Sequence, residues 1–232
     1  MINNSNAIGK GKLAVGFSLL LATLAAVAIV SILFIVRLEQ QNNYLQYYPL
    51  ERLLILSQIE ADVLEMRHMA AMIALHAGND AELNMVNDDI NILRTRTRLL
   101  LDIYTHNLLD DPRMSEALRA EAIMFVQVME NRIMHYFTEI VHPLLEIALY
   151  APHNEAEITL LLSHGIEIYA SIESIIIGLS EMTRVTVEEL NFQTSELTNT
   201  AVMSIILVTT VGFSFGLIVI VILYIGKKRK SS

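Results

Sequence analysis

Two stretches of the chain show no alternation of polar and apolar positions at all. Residues 13–36 (LAVGFSLLLATLAAVAIVSILFIV) form a run of 24 without a charge, and residues 201–226 (AVMSIILVTTVGFSFGLIVIVILYIG) a run of 26. At about 1.5 Å of helical rise per residue, each exceeds the roughly 30 Å hydrocarbon core of a bilayer. Two transmembrane helices are therefore predicted. Between them the apolar residues recur every three or four positions. Leu56, Ile59, Val63, Met66, Ala70, Ile73 and Ala77 form one such stripe. A second runs through Ile123, Val126, Ile133, Phe137, Ile140, Leu144 and Ile147, with Glu130 the only polar intruder. Ile158, Leu162, Gly165, Tyr169, Ile172, Ile176 and Leu179 form another. Stripes of this spacing belong to long helices packed side by side.

Turn signals at Gly78-Asn79-Asp80, Asp110-Asp111-Pro112 and Ala151-Pro152-His153-Asn154 divide this region into helices over about 37–77, 81–109, 113–150 and 155–200. Short turns make successive helices antiparallel neighbours. The expected fold is all-α: an up-down-up-down four-helix bundle whose first and fourth helices continue into the two transmembrane helices. Pro49 and Pro143 predict bends in the first and third bundle helices. Tyr44, Tyr47 and Tyr48 fit either an aromatic belt at the headgroups or packing against the base of the fourth helix.

Charge orients this scheme. The formal net charge of −9 conceals a segregation, because all 25 Asp and Glu fall within 38–199, together with nine Arg and no Lys. That segment carries −16. Lys10 and Lys12 precede the first apolar run, and Lys227, Lys228, Arg229 and Lys230 follow the second. Cationic flanks stay on the cytoplasmic side. The expected topology is a cytoplasmic N-terminus at 1–12, a membrane helix at 13–36, an extracytoplasmic bundle at 37–200, a second membrane helix at 201–226 and a basic cytoplasmic C-terminus at 227–232. Arg37 is the one residue against it and can snorkel to headgroups. A cleaved signal peptide explains the first run less well, since its apolar length exceeds a normal h-region and no small-residue cleavage site follows.

Composition removes several classes of function. The absence of Cys excludes thiol catalysis, thiolate metal sites and disulfides. The acidic balance disfavours nucleic acid, which needs clustered Lys and Arg. No motif for a nucleophile, a metal hydrolase or a phosphate loop is present, so neither an enzyme nor a cofactor is expected.

Two membrane runs bracketing four helices, with GKGKLAVGFSLLLATLAAVAIVSILFIV leading into YYPLERLLILSQIEADVLEMRHMAAMIALHAGND, resemble the sensor half of a bacterial methyl-accepting chemotaxis receptor. The closer likeness is to its small four-helix-bundle ligand-binding domain. The resemblance implies a homodimer in the bacterial inner membrane that binds a small molecule or a periplasmic binding protein. It also implies a ligand site near the membrane-distal end of the first helix. Arg67 matches the family's ligand-gripping Arg, while Met72 and His76 stand where amino-acid-sensing members carry further Arg. Such receptors continue into a HAMP linker and a signalling coiled coil. The sequence given stops at GKKRKSS, so the expectation is a sensor portion: a fragment, a truncated gene product, or, if the chain is complete as given, a subunit that signals through an output-domain partner.

Other candidates are plainer. Gly212 and Gly216 form a GxxxG pair for close helix packing in the membrane. Met66, Met69, Met72, His68 and His76 could hold Cu(I), but Met is also ordinary core filler and no metal is expected. The strings Glu65–His68 and Glu139–His142 suggest a di-iron bundle enzyme, yet the second pair lies off its apolar stripe. Arg94, Arg96 and Arg98 are spaced by two and are read as a solvated face. Glu130 on the stripe needs a partner, for which Arg52 and Arg184 are the candidates. The alternative to a receptor is a non-signalling membrane accessory or scaffold protein.

Overall fold

The computed structural model describes residues 4–228; Arg229 and Lys230 of the basic C-terminal flank lie outside them. Among the described residues there is no strand. The helices are α1 (Asn4–Leu45), α2 (Glu51–Leu75), α3 (Asp80–Asp110), α4 (Glu116–Tyr136), α5 (His142–Tyr150) and α6 (Glu155–Lys228). Two single turns of π-helix interrupt the series, Gln46–Leu50 between α1 and α2 and Phe137–Val141 between α4 and α5. The third predicted helix is thus two helices joined by a π-turn.

The prolines account for where these turns fall. Pro49 lies inside the first and Pro143 two residues after the second. A proline ring cannot donate the i→i−4 hydrogen bond and clashes with that carbonyl. Widening the preceding turn relieves the clash and keeps the chain helical. The expected bends therefore take the form of one-residue expansions. Elsewhere the ends are conventional. The Asn79 side chain accepts from the Glu82 N–H to start α3, and Ser115 accepts from the Leu118 N–H to start α4. Gly78 turns the chain after α2 at φ +84°, a conformation open to Gly, and its N–H donates to the Ala148 carbonyl at 2.8 Å.

The chain divides into two compact units, one of residues 44–188 and one of 1–43 with 189–232. The first unit holds the core. Leu56, Ile59, Val63, Met66, Ala70 and Ile73 are all buried, as the spacing predicts. From α6 they meet Ile158, Ile168, Ile172, Ile176 and Leu179. Each buried Val, Leu, Ile or Met among them contributes about 1.5–3 kcal/mol by leaving water. Buried Gly165 lets α6 pack closely, since a Cβ there would lie 3.1 Å from Ile140 Cγ2 and 3.3 Å from Tyr136 Cε2.

One expectation fails in this core. On α4 the central position is taken by Met129, fully buried, and Glu130 beside it is half-exposed. Its carboxylate stays in reach of water and needs no buried cation. The proposed partners are engaged elsewhere, Arg52 with Asp111 and Arg184 with Glu181.

In the second unit many large apolar side chains face outward. Ile29, Ile32, Leu33, Ile35, Ile206, Leu207, Phe213 and Ile220 are each more than half exposed. Two helical stretches, Leu20–Leu75 and Glu155–Ile222, contain 18-residue windows of mean hydropathy 2.5 and 2.8 with no residue buried. By length and composition, both can cross a membrane.

Candidate functional site

The residues matched to a ligand grip do not converge. Arg67 is exposed, and its guanidinium carbon lies 5.1 Å from the ring centroid of Tyr169 on α6, a cation–π contact. Met72 is half-buried against the core. His76 closes α2, its N–H donating to the Met72 carbonyl at 3.0 Å and its carbonyl accepting from the Asn79 N–H at 2.9 Å. Five residues of helix put Met72 about 140° around the axis from Arg67. Met72 and His76 thus share a face that Arg67 does not. Beneath Arg67, burial pushes the Tyr136 hydroxyl up to about 12, with the Arg67 charge acting against it.

The other sequence candidates separate likewise. Glu65, His68, Glu139 and His142 are all exposed, and no three His, Asp or Glu side chains cluster as a metal site among the described residues. A Cβ on Gly212 would lie 2.2 Å from Thr23 Cγ2, whereas one on Gly216 would lie 4.0 Å from the nearest atom, on Leu20. Only Gly212 sits at a close crossing. Of the three alternating arginines, Arg98 is exposed as expected, but its neighbours have specific partners. Arg94 is half-buried over the Phe137 ring, and Arg96 reaches back to α2.

The strongest polar arrangement was not singled out by the sequence pattern. Arg52, on the first turn of α2, is 1% exposed. Its Nη2 donates to Asp111 Oδ2 at 2.7 Å, in the turn after α3. Both side chains are sealed from solvent. The Tyr44 hydroxyl donates to Asp111 Oδ1 at 2.9 Å, and the Arg113 N–H donates to the same oxygen at 2.9 Å. The Arg113 guanidinium covers the Tyr44 ring at 4.2 Å. Arg119 closes the turn by donating to the carbonyls of Leu108, Asp111 and Met114. Burial, then the hydrogen bond to Asp111, pushes the Tyr44 hydroxyl up to about 12. Tyr44 therefore belongs neither to a headgroup belt nor to a simple apolar contact. It is the third member of a buried ion pair.

This cluster braces the π-turn at Gln46–Leu50 from two sides. Tyr44 and Arg52 flank the turn in sequence and meet on Asp111. From α3, the Asn107 amide donates to the Tyr47 carbonyl at 2.9 Å and to Glu51 at 3.2 Å. Arg52 Nε has no partner and adjoins a cavity of about 10 Å³, lined by Tyr104, Met114, Leu179 and Thr183 among others. That is room for one water.

A second buried carboxylate, Asp62 on α2, accepts from Arg96 and, at 3.0 Å, from the Thr97 hydroxyl. Arg96 also reaches Glu65 at 3.1 Å, and the hydrogen bond to Asp62 is the main cause raising its pKa. A signal for both clusters lay in the stripes. Arg52 precedes Leu56 by four and Asp62 follows Ile59 by three, so each charge occupies a core-facing position. The same reasoning was open for Thr97 between Leu93 and Leu101. Asp111 carried no such signal, because a turn residue has no helical phase.

No family model matches the chain, and no curated protein or solved structure is detectably similar to it.

Proposed function

We propose that this chain is the sensor portion of a transmembrane receptor. In this reading the two apolar helices cross the bacterial inner membrane, both termini are cytoplasmic, and residues 44–188 form an up-down-up-down bundle outside. The bundle receives a small ligand or a periplasmic binding protein. A small displacement of α6 then carries the signal inward to an output partner, as in chemotaxis receptors. The observation that carries the reading is α6 itself. One helix, Glu155–Lys228, contains both core residues of the bundle and the window of mean hydropathy 2.8. A helix resists compression along its axis, so a shift of one part is communicated to the other.

A homodimer fits the face of α2 opposite the core. Leu54, Ser57, Ala61, Leu64, His68, Ala71 and Leu75 follow a three-four spacing and are all exposed. A helix facing water normally carries charge there. A stripe of this spacing, Leu and Ala apart from Ser57 and His68, fits a second copy of itself, as in a coiled-coil seam.

The test is a chimera in which the chain is fused to the HAMP and signalling domains of a chemotaxis receptor. Inserting one to three residues after Thr200 rotates and lengthens α6, and kinase output is expected to step with each insertion. Output indifferent to all three insertions contradicts signalling by helix displacement.

A further inference from the structure

We propose that Arg52, Tyr104 and Thr183 hold one buried water, and that this water ties α6 to the sealed ion pair. The donor is the Arg52 guanidinium, 1% exposed. Its Nη2 is taken by Asp111 and its Nη1 lies 3.8 Å from Met114 Sδ, but its Nε–H has no partner in the protein. A charged N–H shut away from bulk water is costly when unpaired, so native folds satisfy it. The cavity beside it measures about 10 Å³, enough for a single water and nothing larger.

Two hydroxyls line the same cavity from other helices. Thr183, buried on α6, donates to the Leu179 carbonyl at 2.9 Å, which leaves its oxygen able to accept. Burial pushes the Tyr104 hydroxyl on α3 up, while the Thr183 hydroxyl and the Arg52 charge act against it. The three polar groups are therefore close neighbours. A water among them accepts from Arg52 Nε and shares a hydrogen bond with each hydroxyl, the usual count for a buried water. Leu108, Met114 and Leu179 supply apolar walls. A halide fits the charge poorly, because Asp111 already neutralises Arg52 and residues 38–199 carry −16. Among the described residues, the hydrogen bonds of Arg52 and Asp111 reach Tyr44, Arg113 and Met114, and none reaches α6. The water supplies that link. Apolar contacts alone let a helix slide, whereas directional bonds hold α6 in one register against α2 and α3.

The site lies within residues 44–188 and stands or falls separately from the receptor reading, since neither membrane topology nor signalling enters it. The probe is water itself, in the full-length chain carrying isotope-labelled arginine in detergent micelles. The Arg52 Nε–H resonance is identified by its absence from the paired Arg52→Met, Asp111→Leu chain. A rotating-frame Overhauser cross-peak from this proton to water is expected, with the sign of dipolar contact rather than of proton exchange. Ala122→Val, whose added methyls enter the cavity, is expected to abolish the cross-peak and lower the urea midpoint. Thr183→Val, equal in shape but lacking the oxygen, is expected to weaken it about threefold. Circular dichroism checks that each variant keeps the helix content of the wild type. No dipolar cross-peak in the wild type overturns the proposal, as does one unchanged in Thr183→Val. A peak that persists in Ala122→Val overturns it by marking a signal relayed through the hydroxyls. A raised urea midpoint in that variant does so by marking a dry void now filled. An Nε–H shift that saturates with bromide but not with sulfate marks an anion instead and also overturns it.

Discussion

Among the described residues two carboxylates are buried in the helical core, and their surroundings differ in one respect. Asp111 is paired with Arg52, and neither side chain reaches water. Asp62 is just as enclosed, at 4% exposure, but its partner Arg96 is half out in solvent at 51%. In the first pair, removing either residue strands a bare charge in a low-dielectric interior. In the second, a released Arg96 swings into water, where Glu65 already holds it. Similar contacts therefore carry different weight, and the difference is set by where the surviving partner can go.

The largest effect should come from breaking the sealed pair. Asp111→Ala is expected to cost about 3–5 kcal/mol, the usual range for stranding one member of a buried ion pair. It also leaves the Tyr44 hydroxyl without its acceptor. Asp62→Ala should cost only about 1–2 kcal/mol, chiefly the lost hydrogen bonds of Thr97 and Arg96. Urea unfolding of the full chain in micelles, followed by helical circular dichroism, compares the two. Equal losses would remove the distinction. The paired replacement Arg52→Met with Asp111→Leu should recover most of the loss, because two apolar groups leave no charge behind.

A steric change comes next. Gly212→Val puts side-chain atoms where Thr23 already stands, whereas Gly216→Ala meets nothing closer than about van der Waals distance. The first should part the two apolar helices, lowering the yield of a disulfide engineered between Gln41→Cys and Leu190→Cys, positions joined by a hydrogen bond of 3.1 Å. The second should leave the yield intact. With no native Cys the assay has no background.

The smallest effect separates the clusters by pH. The Tyr44 hydroxyl titrates near 12 when folded against about 10 when unfolded, so the folded state holds the proton more tightly. Its contribution is fully present below pH 10 and is lost as pH rises toward 12. Tyr136 behaves similarly, raised by burial with the Arg67 charge acting against it. Tyr44→Phe should therefore flatten part of the alkaline fall in stability, and Asp62→Ala should leave that fall unchanged. An unaltered pH profile in Tyr44→Phe would dissolve the link between Tyr44 and the sealed cluster.

Much of the helical pattern was legible because burial repeats with helical phase. Leu56, Ile59 and Val63, or Ile172, Ile176 and Leu179, announce their inward face by spacing alone. Glu130 misled because Met129 next to it fits the core equally well in phase, and only packing chooses between neighbours. The prolines located the irregularities, but a π-turn, a kink and a break all begin with the same missing N–H. The clusters were half visible. Arg52 and Asp62 interrupt stripes, while Asp111 and Tyr44 are assembled by tertiary contacts between segments 67 residues apart. The Arg94 contact with Phe137 was hidden more completely, since a spacing of two around a helix says nothing of the ring beneath.

The central claim is that both apolar helices cross a membrane with the bundle on the outer side. Cysteine accessibility tests it most directly, in a chain that has none of its own. Ser163→Cys and Ser231→Cys are placed singly in full-length chains, and intact spheroplasts are treated with a membrane-impermeant maleimide. The account predicts that position 163 is labelled in intact cells and position 231 only after permeabilisation. Labelling of both from outside, or of 163 only after lysis, would contradict it.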